Sequence, residues 1–193
     1  MDADAARWDD RHSGAEPPSP RPPEALSLPG APADPRRSGG RALDVACGTG
    51  GTSLWLAAGG MQVVALDVSG TAIGLLHTAA RRVGVEHLVD ARVFDLDEGL
   101  PDDGPYDLII CQRFRDVALY PQLADALAPG GTAAITVLSA VGRDGRDAPP
   151  GPFHAAPGEL LEAFASTGLE VLAHVEADGL ASIILHRPPT PHR

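Results

Sequence analysis

From residue 41 onward, short apolar runs alternate with segments whose apolar residues recur every three to four positions. The runs at about 42–46, 62–66, 90–94, 106–111, 132–138, 169–175 and 181–186 have the length and apolar content of buried strands. The intervening segments read as helices over 52–58, 70–83, 116–128 and 157–166. In the second, Ile73, Leu76, Ala80 and Val83 follow a helical repeat; in the third, Val117, Tyr120, Leu123, Ala124 and Leu127 do so, with Pro129-Gly130-Gly131 as the stop signal. The last two runs are joined around Ala177-Asp178-Gly179, a signal for an antiparallel hairpin. Alternating strands and helices predict an α/β fold: a doubly wound, seven-stranded sheet, mostly parallel, ending in a C-terminal antiparallel hairpin.

The N-terminal part differs. Ser13 to Gly40 is rich in proline, glycine and small polar residues, and proline removes backbone donors and fixes φ. This stretch is expected to be a linker or loosely docked arm. The segment before it, Ala6-Arg7-Trp8-Asp9-Asp10-Arg11-His12, reads as a short helix whose one large aromatic, Trp8, is expected to pack against something. The chain therefore divides into a short helix and arm over 1–40, a domain over 41–187 and a tail over 188–193.

The chemistry is concentrated at strand ends. Ala42-Leu43-Asp44-Val45 runs into the turn Ala46-Cys47-Gly48-Thr49-Gly50, and Val63-Val64-Ala65-Leu66 ends on Asp67. A strand, a glycine turn and a helix let backbone N–H groups approach a ligand without a side chain in the way. The same geometry can hold a pyrophosphate in a dinucleotide enzyme, but the third small position here is Ser53 and an acid, Asp44, precedes the turn. A carboxylate there repels a pyrophosphate and attracts a cation such as the α-ammonium of S-adenosylmethionine (SAM). Asp67 is placed to accept from both ribose hydroxyls, with a helix N-cap as its alternative role. Asp95, after the third strand, could accept from the adenine amine, and Val68, Phe94 and Leu96 could sandwich the ring; an ordinary acidic loop is the alternative.

These residues resemble the class I SAM-dependent methyltransferase superfamily. Asp44 to Gly50 matches its first motif, Leu66-Asp67 its second and Phe94-Asp95-Leu96 its adenine motif. Pro105 to Ile110 and Leu127 to Thr132 resemble the fourth strand and the turn before the fifth. Within that superfamily the chain is similar to the small tellurite-resistance type: Trp8-Asp9-Asp10-Arg11 resembles its N-terminal motif, and Phe153 to Phe164 with Glu176 its closing helix and strand. The resemblance implies a Rossmann-like sheet, SAM as cofactor, and a cofactor site comprising Asp44, Ala46, Cys47, Gly48, Thr49, Gly50, Asp67, Val68, Asp95, Leu96 and Cys111. Gln112, Arg113 and His154 are candidates for the acceptor pocket, with Arg115 nearby. No residue presents itself as a catalytic base. The loop from Val141 to Pro157 and the N-terminal arm are the natural lids.

Composition narrows the rest. A formal net charge of −11 opposes a phosphate backbone, so nucleic acid is not expected as a partner. All 15 basic residues are arginine, which removes the Tyr-x-x-x-Lys pair of a common NAD(P)-dependent oxidoreductase. The two cysteines, Cys47 and Cys111, lack partners at metal-site or disulfide spacing and read as reduced, and no metal site is expected. No apolar run approaches the ~18 residues of a membrane span and no secretory signal is visible, so a cytoplasmic protein, a monomer or weak homodimer, is expected. The resulting expectation is methyl transfer from SAM to a small-molecule acceptor by in-line displacement. A non-catalytic SAM-binding module is the main alternative, and an NAD(P)-binding oxidoreductase a lesser one.

Overall fold

The computed structural model describes residues 2–32, 34, 36, 39–143 and 150–190. Parts of the expected arm, of the Val141 to Pro157 loop and of the tail lie outside them. By its internal contacts the chain forms two compact units, residues 1–22 with 34–99, and residues 23–33 with 100–193.

The first unit carries helix α1 (Asp2–His12), strand β1 (Arg41–Val45), helix α2 (Gly51–Ala58), strand β2 (Gln62–Asp67), helix α3 (Gly70–Val83) and strand β3 (Val89–Val93). Its strands run in the order β3-β2-β1, all parallel, with Leu43 paired to Val64 and Ala65 to Ala91. Parallel strands covered by helices read as continuous apolar runs, and Ala42 to Val45 and Val63 to Leu66 are all buried. Leu54, Leu56 and Leu76 close the core from α2 and α3, each side chain contributing about 1.5–3 kcal/mol by leaving water. Helix α3 has sharp ends. Ser69 Oγ accepts from Ala72 N at 3.1 Å, and Gly84, at φ 75°, ends the helix in the left-handed region.

The second unit carries strand β4 (Tyr106–Gln112), helix α4 (Tyr120–Asp125), strand β5 (Leu127–Ser139), strand β6 (His154–Ala155), helix α5 (Glu159–Phe164) and strands β7 (Glu170–Ala177) and β8 (Leu180–His186). The order is β4-β5-β8-β7, with β6 pairing β5. Strands β4 and β5 are parallel, and β8 is antiparallel to both β5 and β7. The predicted hairpin is present. Asp178 and Gly179 take φ 53° and 79°, the positive values that a tight two-residue hairpin turn needs.

One expected element is shorter than its apolar period suggests, and one strand is new. The helix read over 116–128 is confined to Tyr120–Asp125. Asp116 instead folds into a turn, its Oδ1 accepting from Ala118 N at 2.9 Å, and Pro121 belongs in a first helical turn. At the other end Leu127 is drawn into the sheet by pairing with Tyr106, before the proline-glycine stop is reached. A strand not foreseen, β6, carries His154. Trp8 packs as expected, stacking on His12 with ring centroids 6.1 Å apart and Arg7 and Arg11 over its ring, and stays 38% exposed.

The arm has no α-helix or strand among its described residues. It is nevertheless held at several points. In the first unit, Arg21 N donates to Gly51 O at 2.9 Å and Arg82 donates to the carbonyls of Pro17 and Pro18. In the second, a single 3-10 turn at Glu24–Ser27 buries Ala25.

Candidate functional site

Strand β1 ends by delivering Asp44 into the interior of the first unit, where only 2% of its surface is exposed. Its Oδ2 accepts from Ser53 Oγ at 2.5 Å. Loss of hydration pushes its carboxyl up to about 7; the Ser53 hydrogen bonds oppose the rise and the negative Asp67 adds to it. A cation beside Asp44 would offset that cost, so the residue fits an ammonium ligand.

The turn that follows is tightly determined. Cys47 N donates to Leu66 O at 2.9 Å, tying the end of β1 to β2, and Gly50 N donates to Cys47 O at 3.0 Å, closing the turn. Gly50, at φ 83°, caps α2; a Cβ there would run into Leu76. Gly48, at φ 54°, has an open face, where His12 Cε1 comes to 4.0 Å from the place a Cβ would take. Ala46 holds φ 50° with a methyl group attached, a conformation that glycine adopts without penalty. Thr49 is half-buried. Burial, then Asp44 and Asp67, raise the Cys47 thiol well above its usual range. Cys47 is therefore no nucleophile at neutral pH, and neither cysteine is in a disulfide.

Asp67, at the end of β2, accepts from Gly48 N through Oδ2 at 2.7 Å and from Ser69 N through Oδ1 at 2.9 Å. The capping role belongs to Ser69, which leaves Asp67 as the residue that braces the glycine turn. Val68 beside it is half-buried. Asp95 accepts from Asp97 N at 3.1 Å, capping a short 3-10 turn in which Leu96 is buried, while Phe94 is half-buried. Asp44, Ala46 to Gly50, Asp67, Val68, Asp95 and Leu96 all belong to the first unit.

One residue of this site was missed from sequence. Asp9 of α1 accepts from Ser69 Oγ at 2.6 Å and from Thr71 N at 2.9 Å, bonds that hold its carboxyl below the usual range. This pins the N-terminal helix to the start of α3 and sets His12 against Gly48. The signal is the Trp8-Asp9-Asp10-Arg11 segment, whose resemblance to an N-terminal motif singles out the stretch without giving Asp9 a role of its own.

The remaining candidates lie in the second unit. Cys111 is buried in β4, its thiol directed to Phe114 O at 3.5 Å. Gln112 ends β4, and Arg113 follows at φ 59°. His154 has Nδ1 near Gly151 and Nε2 against the Arg143 guanidinium. Arg115 forms a two-point pair with Glu159, both bonds 2.7 Å, which keeps Glu159 below and Arg115 above their usual ranges. Tyr120 completes the clasp at 3.3 Å from Glu159; burial, then Glu159, push its hydroxyl up. Ser139 Oγ and Gly158 N both donate to Glu176, at 2.6 and 2.9 Å, fixing the two ends of the 140–157 loop.

The mixed α/β sheet, mostly parallel with antiparallel C-terminal strands, and the glycine turn at the end of β1 define a Rossmann-like fold of the class I SAM-dependent methyltransferase type. Residues 42–131, somewhat less than half of the chain, are similar to the family described as Methyltransferase domain, a likeness that points to SAM as the cofactor. No curated protein sequence matches the chain. Among solved structures, TehB from Haemophilus influenzae is 21% identical, with 78% of this chain and 58% of that one covered at a TM-score of 0.66. The [4+2]-cyclase SpnF is 20% identical, covering 79% and 76% with a TM-score of 0.64. Magnesium protoporphyrin IX methyltransferase (ChlM) from Synechocystis PCC 6803, solved with bound SAH, is 17% identical, covering 77% and 74% with a TM-score of 0.60. At these identities the likeness is one of fold.

Proposed function

We propose that the chain transfers a methyl group from SAM to a small-molecule acceptor by in-line displacement. The observation that carries this reading is the pair of buried acids around the glycine turn: Asp44, 2% exposed, and Asp67, 8% exposed and hydrogen-bonded to Gly48 N. The first suits an ammonium and the second a ribose diol, whereas two acids beside a pyrophosphate would repel it. Asp95, Val68 and Leu96 are assigned to the adenine.

SAM supplies an electrophilic methyl carried on a sulfonium. The protein's part is to hold the acceptor in line with it and to exclude water. Asp44 receives the cationic end of the cofactor, Asp67 holds the turn and the sugar together, and Asp9 fixes α1 and His12 beside Gly48. Gln112 and Arg113, at the C-terminal end of β4, are assigned to the acceptor, since open α/β sheets bind ligands at that edge. No residue is given the role of base; the Nε2 of His154 is already engaged by Arg143. The net charge of −11 speaks for a small molecule over a nucleic acid.

Calorimetric titration with SAM, SAH and NAD tests the cofactor, and methyl release measured against a panel of small acceptors tests turnover. Binding of NAD in preference to SAM would sink the reading. Tight SAM binding with no transfer to any acceptor class would favour a binding module.

A further inference from the structure

The end of β4 holds an occupant taken from the chain itself. Arg113 adopts φ 59°, a conformation that costs a residue with a side chain, and its N–H donates to Thr136 O at 2.6 Å. Its guanidinium meets the arm: Nη2 lies 2.8 Å from Glu24 Oε1. Next to it, Gln112 Oε1 accepts from Glu24 N at 2.9 Å. Pro23 and Ala25, on either side of Glu24, are buried. Buried neighbours thus anchor the backbone, while the ion pair itself stays open to water, its side chains 59% and 52% exposed.

That division has a chemical meaning. An anchored segment presents a carboxylate to an arginine, so the structure itself shows which ligand chemistry the guanidinium accepts. A pair this exposed is weak, and a carboxylate from solution can replace it without unseating Pro23 or Ala25. Backbone strain held at a strand end is characteristic of functional positions, and the C-terminal edge of the sheet is where ligands bind.

We infer that Arg113 is the specificity-determining anchor for a methyl acceptor bearing a carboxylate, and that Glu24 occupies it in the resting chain as an internal competitor. This rests on the methyltransferase reading above and deepens it by naming the acceptor class. Glu24→Gln removes the competing charge and keeps the backbone bond to Gln112. Arg113→Gln removes the guanidinium, and Arg113→Gly removes it while relieving the backbone strain, so a folded variant without the anchor is available.

The experiment is titration of the full chain and the three variants with benzoate and with benzamide, by calorimetry, while hydrogen exchange at the Glu24 amide is followed. Saturable benzoate binding is expected, about two- to fivefold tighter in Glu24→Gln and weaker by at least about tenfold in both Arg113 variants. Exchange of the Glu24 amide, bonded to Gln112, should stay slow because only the side-chain pair is displaced, and benzamide should not bind. Benzoate that fails to saturate in the wild type and in Glu24→Gln, or binds all four proteins alike, overturns the inference and marks the pair as a mere surface tether. SAM titration of the same samples is read separately. SAM bound without the benzoate pattern sinks the anchor alone, whereas the benzoate pattern without SAM binding supports the anchor and sinks the methyltransferase reading.

Discussion

The Asp67 carboxylate accepts the backbone N–H of Gly48 at 2.7 Å, joining the end of β2 to the turn after β1 across 19 residues of sequence. The same side chain holds Ser69 N at 2.9 Å, so one buried acid orders both the glycine turn and the entry to α3. Its removal should therefore be felt twice. Asp67→Ala is expected to lower stability by about 1–3 kcal/mol, because buried amides lose their acceptor. It should also weaken SAM by about 10- to 100-fold, the effect of one or two hydrogen bonds to a charged group. Denaturant titration and calorimetry read the two separately. SAM affinity unchanged in a folded Asp67→Ala protein would remove the ribose assignment.

Asp44 makes binding and proton release interdependent. Burial raises its folded-state carboxyl from the ordinary 3.8 to about 7, so the folded protein keeps a proton that the unfolded chain gives up. The contribution to stability is fully present below the unfolded value, declines as pH rises through the window from 3.8 to about 7, and is lost above it. A cationic ligand acts oppositely by favouring the ionised form. At pH 6, SAM binding should thus release about one proton from the protein, and affinity should rise towards pH 7.5. Calorimetry in buffers of different ionisation enthalpy measures the release, and Asp44→Asn should abolish this part of it. An equal release in Asp44→Asn would show that the ammonium lies elsewhere.

Much of this arrangement was legible in the sequence, for local reasons. Buried parallel strands are continuous apolar runs, and α3 was bounded correctly because Ser69 and Gly84 are chemical start and stop signals. The helix around Tyr120 was overextended because its apolar period continues into Leu127, whose place is decided by pairing with Tyr106. Asp44 and Asp67 stood out because strand ends place side chains at the ligand edge. Asp9 and Glu24 did not, since their meaning lies in partners 60 and 89 residues away, Ser69 and Arg113. The proline-rich composition told what the arm cannot form and was silent on where it docks.

Ala46 stands at φ 50° within the turn, where its methyl group is a steric cost. Ala46→Gly is expected to stabilise the folded chain by about 1 kcal/mol, the relief of the left-handed strain exceeding the added flexibility of the unfolded chain. Ala46→Val should destabilise it, since a β-branched residue tolerates this conformation worse. The denaturant midpoints should rank glycine above alanine above valine. An unchanged midpoint for glycine would mean that the turn holds alanine without strain.

Asp9 is the acceptor for both Ser69 Oγ and Thr71 N, and these bonds lower its carboxyl below 3.8. With the folded value depressed, the attachment is fully present above the unfolded value and is lost as pH falls through the lower folded one. At neutral pH, Asp9→Ala should release α1 from α3 while leaving the sheet intact, because no core side chain is removed. Amide exchange should accelerate across Asp4–His12 and remain slow in β1 and β2. His12 would then no longer be held near Gly48, so SAM dissociation should quicken if α1 retains the cofactor. Unchanged exchange in α1 would show that Trp8 and its neighbours hold the helix without Asp9, whereas fast exchange with unchanged SAM dissociation would confine Asp9 to a structural role.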